Sequence, residues 1–443
     1  MLTEQDYRKA LVARHPFWQR LSPTAVKQQV DQLLSAANAA DLVQALSPVE
    51  FTLMLKEVPD ARPLMLQLAQ PEQIRLVLDL DCWHKDDLQS PRILEWLEEL
   101  QRSGIDTFTQ ALAELDAELL VAFLRQYLRV QATLPPEEED EPRTYEEAIV
   151  NELYRAEFID PDNPHNDRVQ NLLNFMRAAD LDQYNRLMQA AMWEQDSELL
   201  EWAYRWKSGR LQDEGFPEYY EALESHHLVD LQQLAPESST VVSTPAPPES
   251  AEELGIIPAY AWSFTPSGST LDKAMTGDFS AEVIERLCWE MVALCNCALI
   301  YDQVDFADTA AVRACFERVH ARLNIGLDYL GSRDKQPLSY LLNHYALSLI
   351  YQVGFTLVMH LHGQAARIQH HLTQHAGVRR TYPQLMACVL KGLLLPQPKI
   401  FRGLHQPGTV GYNDFQTLRD ITSVIGVLKQ VDAYPAYHFA PAS

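Results

Sequence analysis

Apolar and polar positions recur at helical spacing along almost the whole chain. Val312, Cys315, Phe316, Val319, Leu323, Leu327 and Leu330 share a narrow arc at 100° per residue, which predicts an amphipathic helix. Val283, Ile284, Leu287, Met291, Leu294 and Ala298 form a comparable stripe. Residues 22–129 carry shorter stripes punctuated by proline. "LSPVEFTLML" puts Ser47 at an N-cap, Pro48 at the first helical position and Glu50 where a capping box needs it. "AQPEQIRLVLDL" repeats the proline start without a good cap. Strand-like alternation bounded by turn pairs is nearly absent. The expected fold class is all-α.

Two stretches echo each other. "RILEWLEELQRSGIDTFTQALAELDAELLVAF", from Arg92, aligns with "RVQNLLNFMRAADLDQYNRLMQAAMWEQDSELLEWA", from Arg168. Ile93 pairs with Val169, Leu97 with Leu173, Ile105 with Leu181 and Phe108 with Tyr184. After a short insertion Asp-Ala-Glu-Leu-Leu at 116–120 pairs with Asp-Ser-Glu-Leu-Leu at 196–200. Units that bury their apolar faces against a neighbour make an α-solenoid. The expected organisation is a first helical-repeat unit over 1–134, a second over 143–234, and a helical bundle over 256–443. Residues 235–255, rich in Ser, Thr, Pro and Glu, read as a flexible linker. "LPPEEEDEPRTYEE" reads as a solvated connector between the units.

The proline-started short helices between Leu46 and Leu80 resemble the superhelical N domain of MgtE-type magnesium transporters, and flagellar motor switch proteins carry similar arrays. The paired regulatory domains and pore that follow in MgtE have no counterpart here, so no magnesium-binding residue transfers. Over its full length the chain resembles an uncharacterised bacterial family of two-part helical proteins, through "CWEMVALCNCALIYDQVDF", "LNIGLDYL" and "KIFRGLHQPGTVGYNDFQTLRDI". That resemblance implies no activity.

Composition narrows the compartment and the partners. The start lacks a signal-peptide core, and six cysteines without C-x-x-C spacing suit a reducing cytoplasm. A net charge of −25 argues against nucleic acid. The charge is also divided. Residues 335–413 contain no Asp or Glu but seven cations: Lys335, Arg367, Arg379, Arg380, Lys391, Lys399 and Arg402. At the chain's average density about eleven acids belong there. Either this segment is buried core with snorkelling cations, or it attracts an anion, an acidic partner or the protein's own acidic first half. The uncharged run 336–366 is long enough to span a membrane, but Asn343, His344, Gln352 and His360 interrupt it, which favours a buried bundle helix.

Candidate chemistry lies in the same segment. Lys399, Arg402, Gly403, Gly408 and Gly411 form a basic, glycine-bearing loop that suits an anion, although no G-K-[ST] follows. Of five histidines between His360 and His375, only His371 and His375 have i, i+4 ligand spacing. A transition metal there would take a carboxylate from Glu290 or Glu317; the competing reading is helix-terminal histidines. Glu317-x-x-His320 and Glu224-x-x-His227 have di-iron spacing, but an acid-free segment cannot furnish the remaining carboxylates. "IDPDNPHND" lacks the glycine and distant glutamate of a calcium loop and reads as capping before Arg168. No catalytic residue and no cofactor is assigned. The function expected is a non-catalytic scaffold, adaptor or regulator gripping a protein partner. The alternative is a ligand- or metal-binding bundle, with enzymatic activity open.

Overall fold

A computed structural model describes residues 23–132, 147–150, 154–193, 196–234, 260–374 and 384–433. The linker expected at 235–255 lies outside them. The first half holds α1 (Pro23–Ser35), α2 (Ala39–Gln44), α3 (Pro48–Glu57), α4 (Arg62–Leu68), α5 (Pro71–Asp81), α6 (Ser90–Arg102), α7 (Ile105–Glu114) and α8 (Ala117–Tyr127). Then come α9 (Asn166–Ala179), α10 (Leu181–Trp193), α11 (Asp196–Asp213) and α12 (Tyr219–Ser225). The second half holds α13 (Thr270–Ala274), α14 (Ala281–Tyr301), α15 (Thr309–Asp334), α16 (Leu338–His344), α17 (Leu347–Gln374), α18 (Gln384–Leu393) and α19 (Leu418–Ala433).

The protein is mostly helical, and local chemistry explains several starts. The Ser47 hydroxyl accepts from the Glu50 amide at 3.3 Å, with Pro48 opening α3. At α5 the cap missing from the sequence reading is supplied by Gln73, whose side chain accepts from the Gln70 amide at 3.0 Å. Around "IDPDNPHND", Asp160 and Asn163 accept from the amides of Asp162 and His165, closing Asx turns ahead of α9.

The mostly helical chain agrees with the all-α expectation, and three small antiparallel sheets accompany the helices among the described residues. The largest joins β3 (Leu128–Ala132), β4 (Glu147–Val150) and β5 (Tyr154–Phe158), with β5 central. Val130 faces Ala156, and Tyr154, Ala156 and Phe158 alternate inward. Five residues of period two, beside an acidic run, were too short to register as strand. The other two sheets are hairpins: β1 (Trp83–His84) with β2 (Asp87–Leu88), and β6 (Lys399–Phe401) with β7 (Tyr412–Asp414).

The echoing stretches fold into three helices apiece, α6–α8 and α9–α11. Ile93, Val169, Leu97, Leu173, Phe108 and Tyr184 are all buried, whereas Ile105 and Leu181 are both exposed.

A single hydrophobic core runs from Val26 in α1 to Phe355 in α17, crossing between the halves. A smaller core gathers Ile325, Val358, Leu361, Val389, Phe415 and Val424 from α15, α17, α18 and α19. Arg92 clamps Asp305 with two hydrogen bonds of 2.9 and 2.8 Å, and Arg313 meets Glu57 at 3.2 Å. These described inter-half ion pairs use no residue of the acid-free segment. That segment meets the first half through neutral groups: Gln352 donates to the Ser225 carbonyl, and Thr356 accepts from the Val229 amide.

No single helix among the described residues is long and apolar enough to cross a membrane. Much of the uncharged run is α17, whose Leu347, Ile350, Val353 and Val358 are buried in protein.

Candidate functional site

Helices α15 and α17 cross at backbone contact. A Cβ on Gly326 would stand 2.0 Å from the Ile350 carbonyl oxygen, and one on Gly354 2.0 Å from that of Arg322. Only glycine permits that approach at either position. From Val319 to Leu327 every residue of α15 is buried, so the helix threads the interior there. Arg318 and Arg322, one turn apart on this helix, are thereby carried to the boundary between the two cores.

Around them lies a dense set of polar side chains. Asp302, at the C-cap of α14, accepts from Arg318 at 2.5 Å and also receives Gln397 and the Cys315 thiol. Asp414 on β7 stands 3.7 Å from the Lys399 ammonium on β6. Arg322 is 3% exposed and its Nη1 has no hydrogen-bond partner. Burial weakens its hold on the proton, opposed first by Tyr351 and then by Asp414. It stays charged, as arginine does in proteins.

His226, just past α12, closes one side. Its Nδ1 lies 2.7 Å from the Ala222 carbonyl, so Nδ1 carries the proton and Nε2 accepts from the Tyr351 hydroxyl at 3.0 Å. The ring stacks flat on Tyr301 at 3.7 Å. Burial pushes the imidazole down to about 4. Cys297 sits 4.0 Å away, but burial pushes its thiol up to about 11. A neutral imidazole beside an un-ionised thiol is no nucleophilic pair. It is a clasp that fixes the segment after α12 to the bundle.

The residues singled out in the sequence are dispersed. Lys399 joins this cluster. Arg402 turns away, donating to Asn413 at 2.7 Å while its amide bonds the Gly411 carbonyl. Gly408 and Gly411 have φ of 87° and 110° and serve the β6–β7 connection, and a Cβ on Gly403 would strike the Phe401 ring. The five therefore build a hairpin rather than one convergent cradle. His375 lies outside the described residues, and nothing is described of the His371 side chain. His320 is buried with both nitrogens engaged, Nε2 with the Ala261 carbonyl at 2.7 Å and Nδ1 with Thr265 at 3.1 Å. Glu317 is exposed. Glu290 bonds Arg286 and the Leu347 amide. Among the described residues no group of three His, Cys, Asp or Glu could hold a metal.

Asp302, Arg318, Arg322, Tyr351 and His226 escaped the sequence reading. A signal existed: Arg318, Arg322 and Gly326 follow one another at i, i+4 and i+8, a ridge ending in a glycine.

The second notable surface is outside. Among the described residues, half of the sixteen exposed large apolar side chains fall between Trp193 and Leu228, three of them on α11 (Trp202, Tyr204 and Trp206) and three on α12 (Tyr219, Tyr220 and Leu223). Trp202 and Trp206 stack at 6.4 Å, and the Arg205 guanidinium covers Trp202. Lys207 sits against the rings of Trp83 and Tyr204, and burial lowers its pKa to about 8.

Residues 8–437 match the model of a family described as "Family of unknown function (DUF6178)", and the chain belongs to that family. No curated protein and no solved structure matches it.

Proposed function

We propose that this family member is a non-catalytic scaffold or adaptor that binds a protein partner through the outer face of α11. In this reading α6–α8 and α9–α11 are stacked repeat units, and the protein works in the cytoplasm, where its free cysteines stay reduced. One observation carries the reading: the last helix of the second unit bares the stacked pair Trp202 and Trp206, with Tyr204 half a turn round beside Trp83, where an end unit of an array ordinarily presents a polar face. Tryptophan, tyrosine and arginine are the side chains that dominate protein interfaces. A patch of this kind on a monomer marks an interaction site.

The test is site-specific photo-crosslinking in the cells that make the protein. A photoreactive residue at 202 or 206 should give one discrete adduct. The same residue at partly exposed Glu118, on the first unit, should give none. The adduct at 206 should vanish when Trp202 is changed to Ala. Adducts equally abundant at 118, or absent at 202 and 206, sink the reading. A second reading, a ligand-binding bundle, is favoured by the unpartnered Arg322 between the cores.

A further inference from the structure

The polar residues at the boundary of the two cores do not satisfy one another. Asp302 and Asp414 both lie within electrostatic reach of Arg318 and Arg322. Three buried atoms of this group have no hydrogen-bond partner: Arg318 Nε, Arg322 Nη1 and Asp414 Oδ1, the last in a loose 3.7 Å ion pair with Lys399. Two are donors and one is an acceptor. Native proteins leave few such atoms, and each calls for an explanation. The charges do not close either. Arg318, Arg322 and Lys399 bring three positive charges, while Asp302 and Asp414 bring two negative ones. Asp302 is already engaged by Arg318, Gln397 and Cys315. The Tyr351 hydroxyl donates its proton to His226, and its oxygen does not accept from Arg322 Nη1, which has no hydrogen-bond partner. Removing a cation from water without compensation costs several kcal/mol. A bridging water could join the orphaned atoms, but it would leave the excess charge in place.

We propose that Arg318, Arg322 and Asp414 form a receptor for a small oxyanion that also carries a hydroxyl. The ligand's oxygens accept from the two guanidinium groups, and its hydroxyl donates to Asp414 Oδ1. A hydroxycarboxylate and an inorganic phosphate bearing a proton share this chemistry. Arginine suits the role because its planar fork matches a carboxylate or phosphate edge. The wet side is the β6–β7 hairpin, where the Lys399 and Asp414 side chains are 34% and 18% exposed. Arg322 is the floor. The glycine contact of α15 with α17 holds that floor rigid, as a preorganised site needs. This inference is independent of partner binding through α11.

Calorimetric titration of the full chain, dialysed into chloride buffer, with inorganic phosphate, L-lactate and acetate tests it. Either phosphate or lactate should bind saturably, and which one does so identifies the source. Acetate, which lacks the hydroxyl, should bind at least about tenfold more weakly than lactate. Arg322→Met should abolish the binding and, in the absence of ligand, unfold at equal or higher urea than the wild type, because it removes an uncompensated charge. Asp414→Asn should erase the preference for lactate over acetate, and this arm stands even if Arg322→Met fails to fold. Absence of saturable binding by both phosphate and lactate overturns the proposal. So does equal binding by the wild type and the Arg322→Met variant, or an unchanged preference in Asp414→Asn.

Discussion

Helices α8 and α11 begin alike, with Asp-Ala-Glu-Leu-Leu at 116–120 and Asp-Ser-Glu-Leu-Leu at 196–200, and then part company. In α8 the next residues are Val121, Ala122, Phe123 and Leu124, all buried beneath the second three-helix unit. In α11 the equivalent places hold Glu201, Trp202, Ala203 and Tyr204. Ala122 is 6% exposed and Trp202 48%; Leu124 is 1% exposed and Tyr204 40%. Leu199 and Ala203 still face inward, so α11 keeps the buried side of the repeat and changes the other. Periodicity reports where apolar side chains stand, not whether anything covers them. The outer helix has become more aromatic where solvation alone would favour charge.

The largest effect expected is therefore an asymmetry between equivalent places. Phe123→Ala should lower unfolding free energy by about 3–5 kcal/mol in urea titrations, as a cavity in a closed core does. Trp202→Ala, one position out of register on the bare helix, should cost a small fraction of that. Comparable losses at both sites would mean that α11 is structurally covered and the contrast is wrong.

A second prediction probes what ties the two helices together. Arg210, near the end of α11, donates to Asp79 at 2.7 and 2.9 Å and to Asp116 at 3.1 and 2.6 Å, so it staples α5, α8 and α11. Asp79 is almost fully enclosed, and burial raises its pKa despite the guanidinium. Arg210→Met should cost about 3–5 kcal/mol by leaving that carboxylate without a partner. Adding Asp79→Leu should recover a large part of the loss. If the double variant is no more stable than the single one, the staple is not what the arginine supplies.

The junction beyond α11 should respond to pH in two opposing senses. His226 and His320 are both held down to about 4 by burial. The unfolded chain takes up those protons first, near pH 6.5. The stability from each neutral imidazole is thus complete above about 6.5 and lost as pH falls toward 4, roughly 3 kcal/mol apiece. Glu214, following α11, is pushed up to about 7, mainly by burial and then by Asp213. There the folded state holds the proton more tightly. Its contribution is present at low pH and lost as pH rises from about 4.5 to 7, at most about 3 kcal/mol for a partly exposed group. Glu214→Gln should therefore stabilise the protein at pH 7.5 and make the loss between pH 7 and 4.5 steeper. Parallel stability–pH curves for the variant and wild type would refute the assignment.

Much of the frame was legible because it rests on local rules. The Val312–Leu330 stripe became the buried face of α15, and the Ser47 cap opened α3. The site was not, because its parts are made by tertiary contact. The Arg318–Arg322–Gly326 ridge hints at a close approach, but nothing local says what it meets; Arg322 is interior because Gly326 and Gly354 let two backbones touch. In the histidine run helical spacing rather than composition sets direction, which left only His371 and His375 as a pair. Within it His360 and His370 are exposed, while His362 is turned to the Leu393 carbonyl at 2.7 Å. The missing acids of 335–413 are supplied by neighbours in sequence and space, Asp414 to Lys399, Asp420 to His405 and Asp302 to Gln397.

The smallest expected effect is the most informative about α11. Trp202 and Trp206 stack on one another, and Arg205 lies over the Trp202 ring and pairs with Glu201 at 2.5 Å. These contacts lie at the surface, where an exposed ion pair is worth less than about 1 kcal/mol. Removing both rings should therefore leave stability within about 1 kcal/mol of the wild type and leave cooperativity unchanged. A stability cost that small for two tryptophans means that the fold does not require them. If the Trp202→Ala/Trp206→Ala variant instead unfolds several kcal/mol earlier, the aromatic face is part of the core and partner binding loses its surface.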